Sequence, residues 1–308
     1  MLKETAFMTL KIHRVRTAVG AISILEALSR QNLRFRGQRD AGWKLRSTLV
    51  RHFISPPSDI TSLEIDGMID HFIVNLKSIG IDLPFETSDR RARLEFARHY
   101  GVPSPLIDFS HSPYVALFFA FDGVRPHTAN RTEYAAIYCV DMMQLAGIWA
   151  QITSKTIHGK IGERFAEHHN NFLYNERGLF ENGYPHSTLK YIEMPASWNR
   201  RMQRQLGVFL YDTINYKSWG FDDLEHFLSK QKEVPGPLDA PVLTKVLIPH
   251  KVGRDIFERL EIMGITASLL FENHEGAATD VINSYNYGRR TGRAWDINYL
   301  GALKSTKP

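Results

Sequence analysis

Arg36 stands at the end of a short alternating run, NLRFRGQ at 32–38, and is the first side chain suited to holding an anion. Its planar guanidinium bonds two oxygens at once, which phosphate recognition needs. Either it reaches a cleft from the strand's end or it pairs with a carboxylate on the sheet surface. A second group lies in EFARHYGVPSPLIDFSHSPYVALFFAFDG at 95–123, where His99, Tyr100, Asp108, Ser110 and His111 precede a very apolar segment. A third is Gln205, where a basic segment meets a run entered through Gly207. It serves either as a polar group at a strand lip or as a partner for the backbone of the turn.

The elements that position these groups follow from periodicity. Residues 112–121 carry Val115, Leu117, Phe118, Phe119 and Phe121 with almost no polar face, so this helix lies inside and holds the preceding polar groups rigidly. In 32–38, Phe35 faces one side of a strand and Arg34 and Arg36 the other. Helices are expected at 18–30, at 43–53, from a cap at Asp59 or Ser62 to about 79, and at 88–99, the last stopped by Gly101 and Pro103. The apolar run 134–140 reads as a central strand, and 207–211 and 242–248 as further strands. Helices and strands do not alternate regularly, so an α+β fold with a mixed sheet and packed helices is expected.

With 308 residues, 43% of them hydrophobic, the chain is long enough to bury a full core. Its single cysteine, Cys139, sits in an apolar run, excludes an intrachain disulfide and reads as core. No run has membrane-spanning length and the start lacks a signal-peptide core, so a cytoplasmic chain without membrane contact is expected. Lys and Arg total 38 against 33 Asp and Glu, a net charge of +5 that permits nucleic-acid or nucleotide contact without demanding it. The arginine clusters at 90–98 and 289–293 read as solvated helix faces.

No Gly-rich dinucleotide fingerprint, P-loop, G-x-S-x-G or H-E-x-x-H is present. His158, His168 and His169 lack an acid at ligand spacing, and no metal is expected. The organisation is a polar segment and helix at 1–31, one domain at 32–284 with an insertion near 144–184, and a tail at 285–308.

Phe35-Arg36-Gly37-Gln38, the His99-Tyr100-Gly101-Val102-Pro103 corner with Asp108 and Ala116-Leu117-Phe118-Phe119-Ala120, the Gln205-Leu206-Gly207-Val208-Phe209 turn and the stretch 271–276 together resemble the FRG domain family over about 32–282. The chain departs from the family pattern in two places. The corner lacks the arginine usual after its proline, and the late Phe-Pro-Asp-Leu-Asp-Gly motif retains its second acid as Glu275. Family members occur in bacterial and phage-related settings, which implies a toxin or phage-defence role, with an inhibitory partner, by association.

The order of motifs is also similar to that of ADP-ribosyltransferases. That resemblance implies an enzyme using NAD+ as substrate. Arg36 holds the diphosphate, Ser110 with Tyr100 supports the nicotinamide ribose, Gly37 and Asp108 complete the cofactor-binding set, and Glu275 or Gln205 is the catalytic polar group. The acceptor is a macromolecule, protein or nucleic acid. Two alternatives are a non-catalytic nucleic-acid-binding module, using the arginines near Arg36 and Arg200 with Trp43, Tyr100 and Trp198 as stacking surfaces, and a metal-dependent nuclease using Asp108, Glu275 and His99.

Overall fold

The computed structural model describes residues 10–52, 62–124, 132–142, 144–145, 148, 189–192, 199–214, 216–230, 241–271 and 273–287. The histidines at 158, 168 and 169, Trp198, the arginines at 289–293 and nearly all of the 144–184 insertion lie outside them. In chain order the elements are β1 (Leu10–Arg14), α1 (Ala18–Ser29), β2 (Arg34–Gln38), α2 (Thr48–His52), α3 (Ser62–Ser78), α4 (Arg90–His99), β3 (Leu106–Ser110), α5 (Pro113–Phe121), β4 (Tyr134–Val140) and β5 (Leu189–Ile192). They continue with α6 (Arg200–Arg204), β6 (Gly207–Asp212), α7 (Leu224–Lys230), β7 (Leu243–Pro249), α8 (Gly253–Ile262), α9 (Ala267–Phe271) and α10 (His274–Asn286). The fold is α+β. Among the described residues no helix is long and apolar enough to cross a membrane.

One seven-stranded mixed sheet runs β1-β7-β4-β2-β3-β6-β5. Among the described residues only β1 and β7 pair in parallel; the other ladders are antiparallel. Residues 10–29, read from the sequence as a leading segment, supply that edge strand and a helix whose Ala18, Ala21, Ile22 and Leu25 enter the main core. The helix expected at 43–53 is shorter: it starts at Thr48, because the amide of buried Leu45 donates to the Asp223 carboxylate at 2.7 Å and is drawn out of helical register.

Two ladders decide where a site forms. The ladder between β2 and β4 runs through five residue pairs, from Arg34 with Val140 to Gln38 with Ala136. That between β2 and β3 consists of Phe35 with Ser110 alone. Beyond that pair the strands part. Helix groups cover the two sides of the parting: α1, α5 and α8 pack in one cluster, and α2, α3 and α4 in another with Leu106, Phe209 and Tyr211.

Helix α5 lies almost directly on β2. Its N-terminus is capped by Ser112, whose Oγ accepts from the Val115 amide at 3.3 Å. A Cβ on Gly37 would stand 1.9 Å from the Ala116 carbonyl oxygen and 2.6 Å from the Ala120 nitrogen. Both are backbone atoms and neither can yield without moving the helix. Gly37→Ala is expected to destabilise by about 3 kcal/mol, the upper range for overpacking, seen as a lowered urea midpoint. An unchanged midpoint would show that α5 does not bear on this strand.

Candidate functional site

A cleft of about 460 Å³ opens where β2 and β3 part. Arg36, Gly37 and Gln38 of β2, Asp108, Phe109 and Ser110 of β3, Glu95, Arg98 and His99 of α4, Val115, Ala116 and Phe119 of α5, and Asn199, Arg201 and Gln205 around α6 all line it. Trp43, 45% exposed, stands at its rim. The volume falls within the range of about 300–1,000 Å³ common to small-molecule sites.

Arg36 does both things its position allows. Nη1 donates to the Asp108 backbone carbonyl at 2.8 Å, a bond made in the gap where the ladder has ended, and lies 3.6 Å from Asp108 Oδ2. Its Nε is buried with no hydrogen-bond partner. Arg98 holds the other carboxylate oxygen, Oδ1, and lays its guanidinium over the Phe209 ring. Burial would raise the Asp108 pKa, but Arg98, Arg36 and Arg201 outweigh it and hold the carboxyl below its usual value. Half of the Asp108 side chain is reachable by solvent, through the cleft. Asp108 is thus a strand residue clamped by two guanidinium groups. The helix cap beneath α5 is made by Ser110 and Ser112 instead.

Cations exceed anions here. Among the described residues Arg36, Arg39, Lys44, Arg51, Arg98 and Arg201 line the cleft with Asp108 and Glu95; Arg39 pairs with Asp122 and Lys44 with Asp222 outside it, which leaves Arg36, Arg51, Arg98 and Arg201 against the two lining carboxyls. Burial lowers the pKa of Arg36, Arg51 and Arg201, and their neighbouring arginines lower it further. All remain cationic, so the crowding stores a positive field that an anion relieves. Arg201 stacks on the Phe271 ring at 4.3 Å. The His99 pKa is lowered by burial and by Arg201 and Arg98 against the pull of Glu275.

Gln205 is held at the lip. Its backbone carbonyl accepts from Ser110 Oγ at 2.6 Å and its side-chain amide donates to the Leu270 carbonyl at 3.4 Å. Its side-chain oxygen has no hydrogen-bond partner among the described residues. Ser110 Oγ also accepts from the Ser112 amide at 2.9 Å, so its hydroxyl ties the start of α5 to the Gln205 turn.

Of the residues selected from sequence, Arg36, Gly37, Asp108, Ser110 and Gln205 meet in the cleft; Tyr100 and Glu275 are not among those lining it. Tyr100 is 63% exposed and packs on the Phe96 ring at 4.8 Å. Glu275 is exposed in the first turn of α10, where its charge is felt by Arg201 and His99. Arg98, counted from sequence among solvated arginines, belongs to the site.

Sequence reading also passed over Glu95, which is 2% exposed on α4. Asn199 Nδ2 donates to its Oε1 at 2.7 Å, while Oε2 has no partner among the described residues. The Asn199 carbonyl caps α6 by accepting from the Met202 amide at 3.0 Å, which fixes which end of the amide faces Glu95. Burial pushes the Glu95 pKa from 4.5 up to about 7, against the pull of Arg98 and Asn199. A lone acid among Ala92, Leu94, Phe96 and Ala97 was the sequence signal available for it.

The native carboxyl therefore holds its proton where the unfolded chain has released it. Its contribution to stability is complete below about pH 4.5, falls as pH rises, and is lost above about 7. Glu95→Gln keeps the bond from Asn199 and removes the buried charge. At about pH 8 it is expected to be more stable than wild type by on the order of 3 kcal/mol, the gain vanishing toward pH 4; paired denaturation curves at the two pH values check this.

Residues 31–129 match the model of the FRG domain. The match holds the Arg36 strand, α4, β3 and α5, and ends before Gln205 and Glu275. No curated protein matches the chain, and no solved structure does. The family resemblance carried by the sequence motifs thus holds over this stretch, residues 31–129, which match the FRG domain.

Proposed function

We propose that the cleft binds NAD+ and cleaves it at the bond between nicotinamide and ribose, passing ADP-ribose to a macromolecular acceptor, protein or nucleic acid. The observation carrying this reading is the convergence of Arg36, Ser110 and Gln205, from the adjacent strands β2, β3 and β6 or their ends, on one cleft with surplus positive charge. A diphosphate carries the charge that the Arg36, Arg51 and Arg201 field favours. Cleavage of the glycosidic bond sends its electron pair to the nicotinamide nitrogen and leaves oxocarbenium character on the ribose. The side-chain oxygen of Gln205, which makes no hydrogen bond among the described residues, supplies a dipole for that charge or for a ribose hydroxyl. Asp108, with its carboxylate taken up by Arg98 and Arg36, keeps those guanidinium groups in place.

A nucleic-acid-binding module draws support from the same cations together with exposed Trp43 as a stacking surface. The two readings separate on one assay. Nicotinamide release from NAD+ by the purified chain, followed by mass spectrometry, is expected to fall by about 100-fold or more in Arg36→Ala and in Gln205→Ala, and only severalfold in Glu275→Gln. No release by wild type, with oligonucleotide affinity dropping steeply as salt rises, would transfer the cleft to the binding-module reading.

A further inference from the structure

Glu95 is the cleft residue whose arrangement a structural role does not explain. The large majority of buried polar side-chain atoms are hydrogen-bonded, so an orphaned buried oxygen calls for an explanation. Here one oxygen is fixed by Asn199, whose own orientation is fixed by the cap of α6, and the other lies in the cleft wall without a partner among the described residues. The charged groups facing it are Arg98 from its own helix, Arg201 from α6 and Asp108 from β3. A carboxyl oriented through one oxygen and buried without a partner at the other is equipped to take a proton from a ligand group that reaches it.

We propose that Glu95 is a catalytic residue of this cleft, the base that takes the proton of the acceptor nucleophile as it bonds to the ribose carbon. The assignment rests on the NAD+ reading above. In the step, the ribose–nicotinamide bond breaks and its electron pair leaves on the nicotinamide nitrogen. A lone pair of the acceptor heteroatom forms the new bond to the same carbon. The proton which that heteroatom loses passes to Glu95 Oε2, so the carboxylate becomes the neutral acid and later returns the proton to solvent through the cleft. With water as acceptor the product is free ADP-ribose, so the step is measurable without knowing the macromolecule.

A pKa of about 7 divides Glu95 between its two forms at neutral pH, where a base works best. Only the ionised form accepts the proton, so turnover rises with pH through that value and then levels. Arg98 and Arg201 favour ionisation, and burial and Asp108 oppose it. The Asn199 amide also favours ionisation, and it is the easiest of these to change without unfolding the helix it caps.

The test is NAD+ hydrolysis by the full chain from about pH 5 to about pH 9, read as nicotinamide release. Glu95→Gln is expected to lower kcat by about 100-fold or more and to remove the inflection, leaving KM little changed and the fold at least as stable. Asn199→Asp keeps the cap, removes the donor to Oε1 and adds a like charge. It is expected to move the inflection up by about one pH unit or more. Wild-type turnover with an unaltered rate and profile in Glu95→Gln would overturn the role of Glu95 and leave the NAD+ reading standing. So would an inflection that stays put in Asn199→Asp. No nicotinamide from wild type sinks both readings together.

Discussion

The contact on which the site depends is backbone against backbone, α5 seated on β2 at Gly37. With only a hydrogen at that position, the Ala116 carbonyl and the Ala120 nitrogen come close enough to leave no room for a methyl group. Once Phe35 and Gly37 lie under the helix, strand alternation sends Arg36 the other way, toward the place where β2 and β3 part. The same helix begins at Ser112, which Ser110 ties to the Gln205 turn. Arg36, Ser110 and Gln205 are therefore placed by one rigid assembly, although nearly 170 residues separate the first from the last.

Within that frame the two carboxyls of the cleft are driven in opposite directions. At Asp108 the paired guanidinium groups outweigh burial and the pKa falls; at Glu95 burial outweighs Arg98 and Asn199 and the pKa rises to about 7. Environments that separate paired titratable groups assign them different work. Asp108 stays ionised and organises cations, so it has no part in proton exchange. Glu95 is poised to exchange a proton and pays in stability above neutral pH for the privilege.

The parts of this architecture that were legible in the sequence are those set by local pattern. The apolar run of α5, the alternation in β2, the β-branched and aromatic run of β4 and the Gly-Pro stop after α4 each specified an element before any contact was known. The site was legible only where its residues sit on such elements. Arg98 looked like one more arginine in a solvated row, because its partner Asp108 lies on another element. Glu95 needed Asn199, 104 positions away, to become visible. Glu275 was one of two candidates because a family acid survives at its position. It stands in the exposed first turn of α10, where helix N-termini prefer negative charge, and its charge reaches Arg201 and His99 of the cleft. The edge strand β1 escaped because LKIHR has little apolar character and is fixed by pairing with β7.

The turn that carries Gln205 shows how a flexible side chain is kept in place. Leu206 adopts φ 48°, a left-handed conformation that a branched hydrophobic residue takes at a cost of order 1 kcal/mol or more. Its neighbours enforce it. The Leu206 carbonyl accepts from the His111 amide at 3.0 Å, the Gln205 carbonyl accepts from Ser110, and the Leu206 amide donates to the Gln203 carbonyl at 3.1 Å. On the other side, a Cβ on Gly207 would meet the Met202 side chain at 3.0 Å, so α6 presses against the start of β6. The chain has no slack between α6 and β6, and Gln205, the last residue before the strained one, is aimed by the backbone rather than by its own rotamers. Relaxing Leu206 would release the bonds to β3 and α5 as well, so the strain persists because the whole frame around Arg36 holds it.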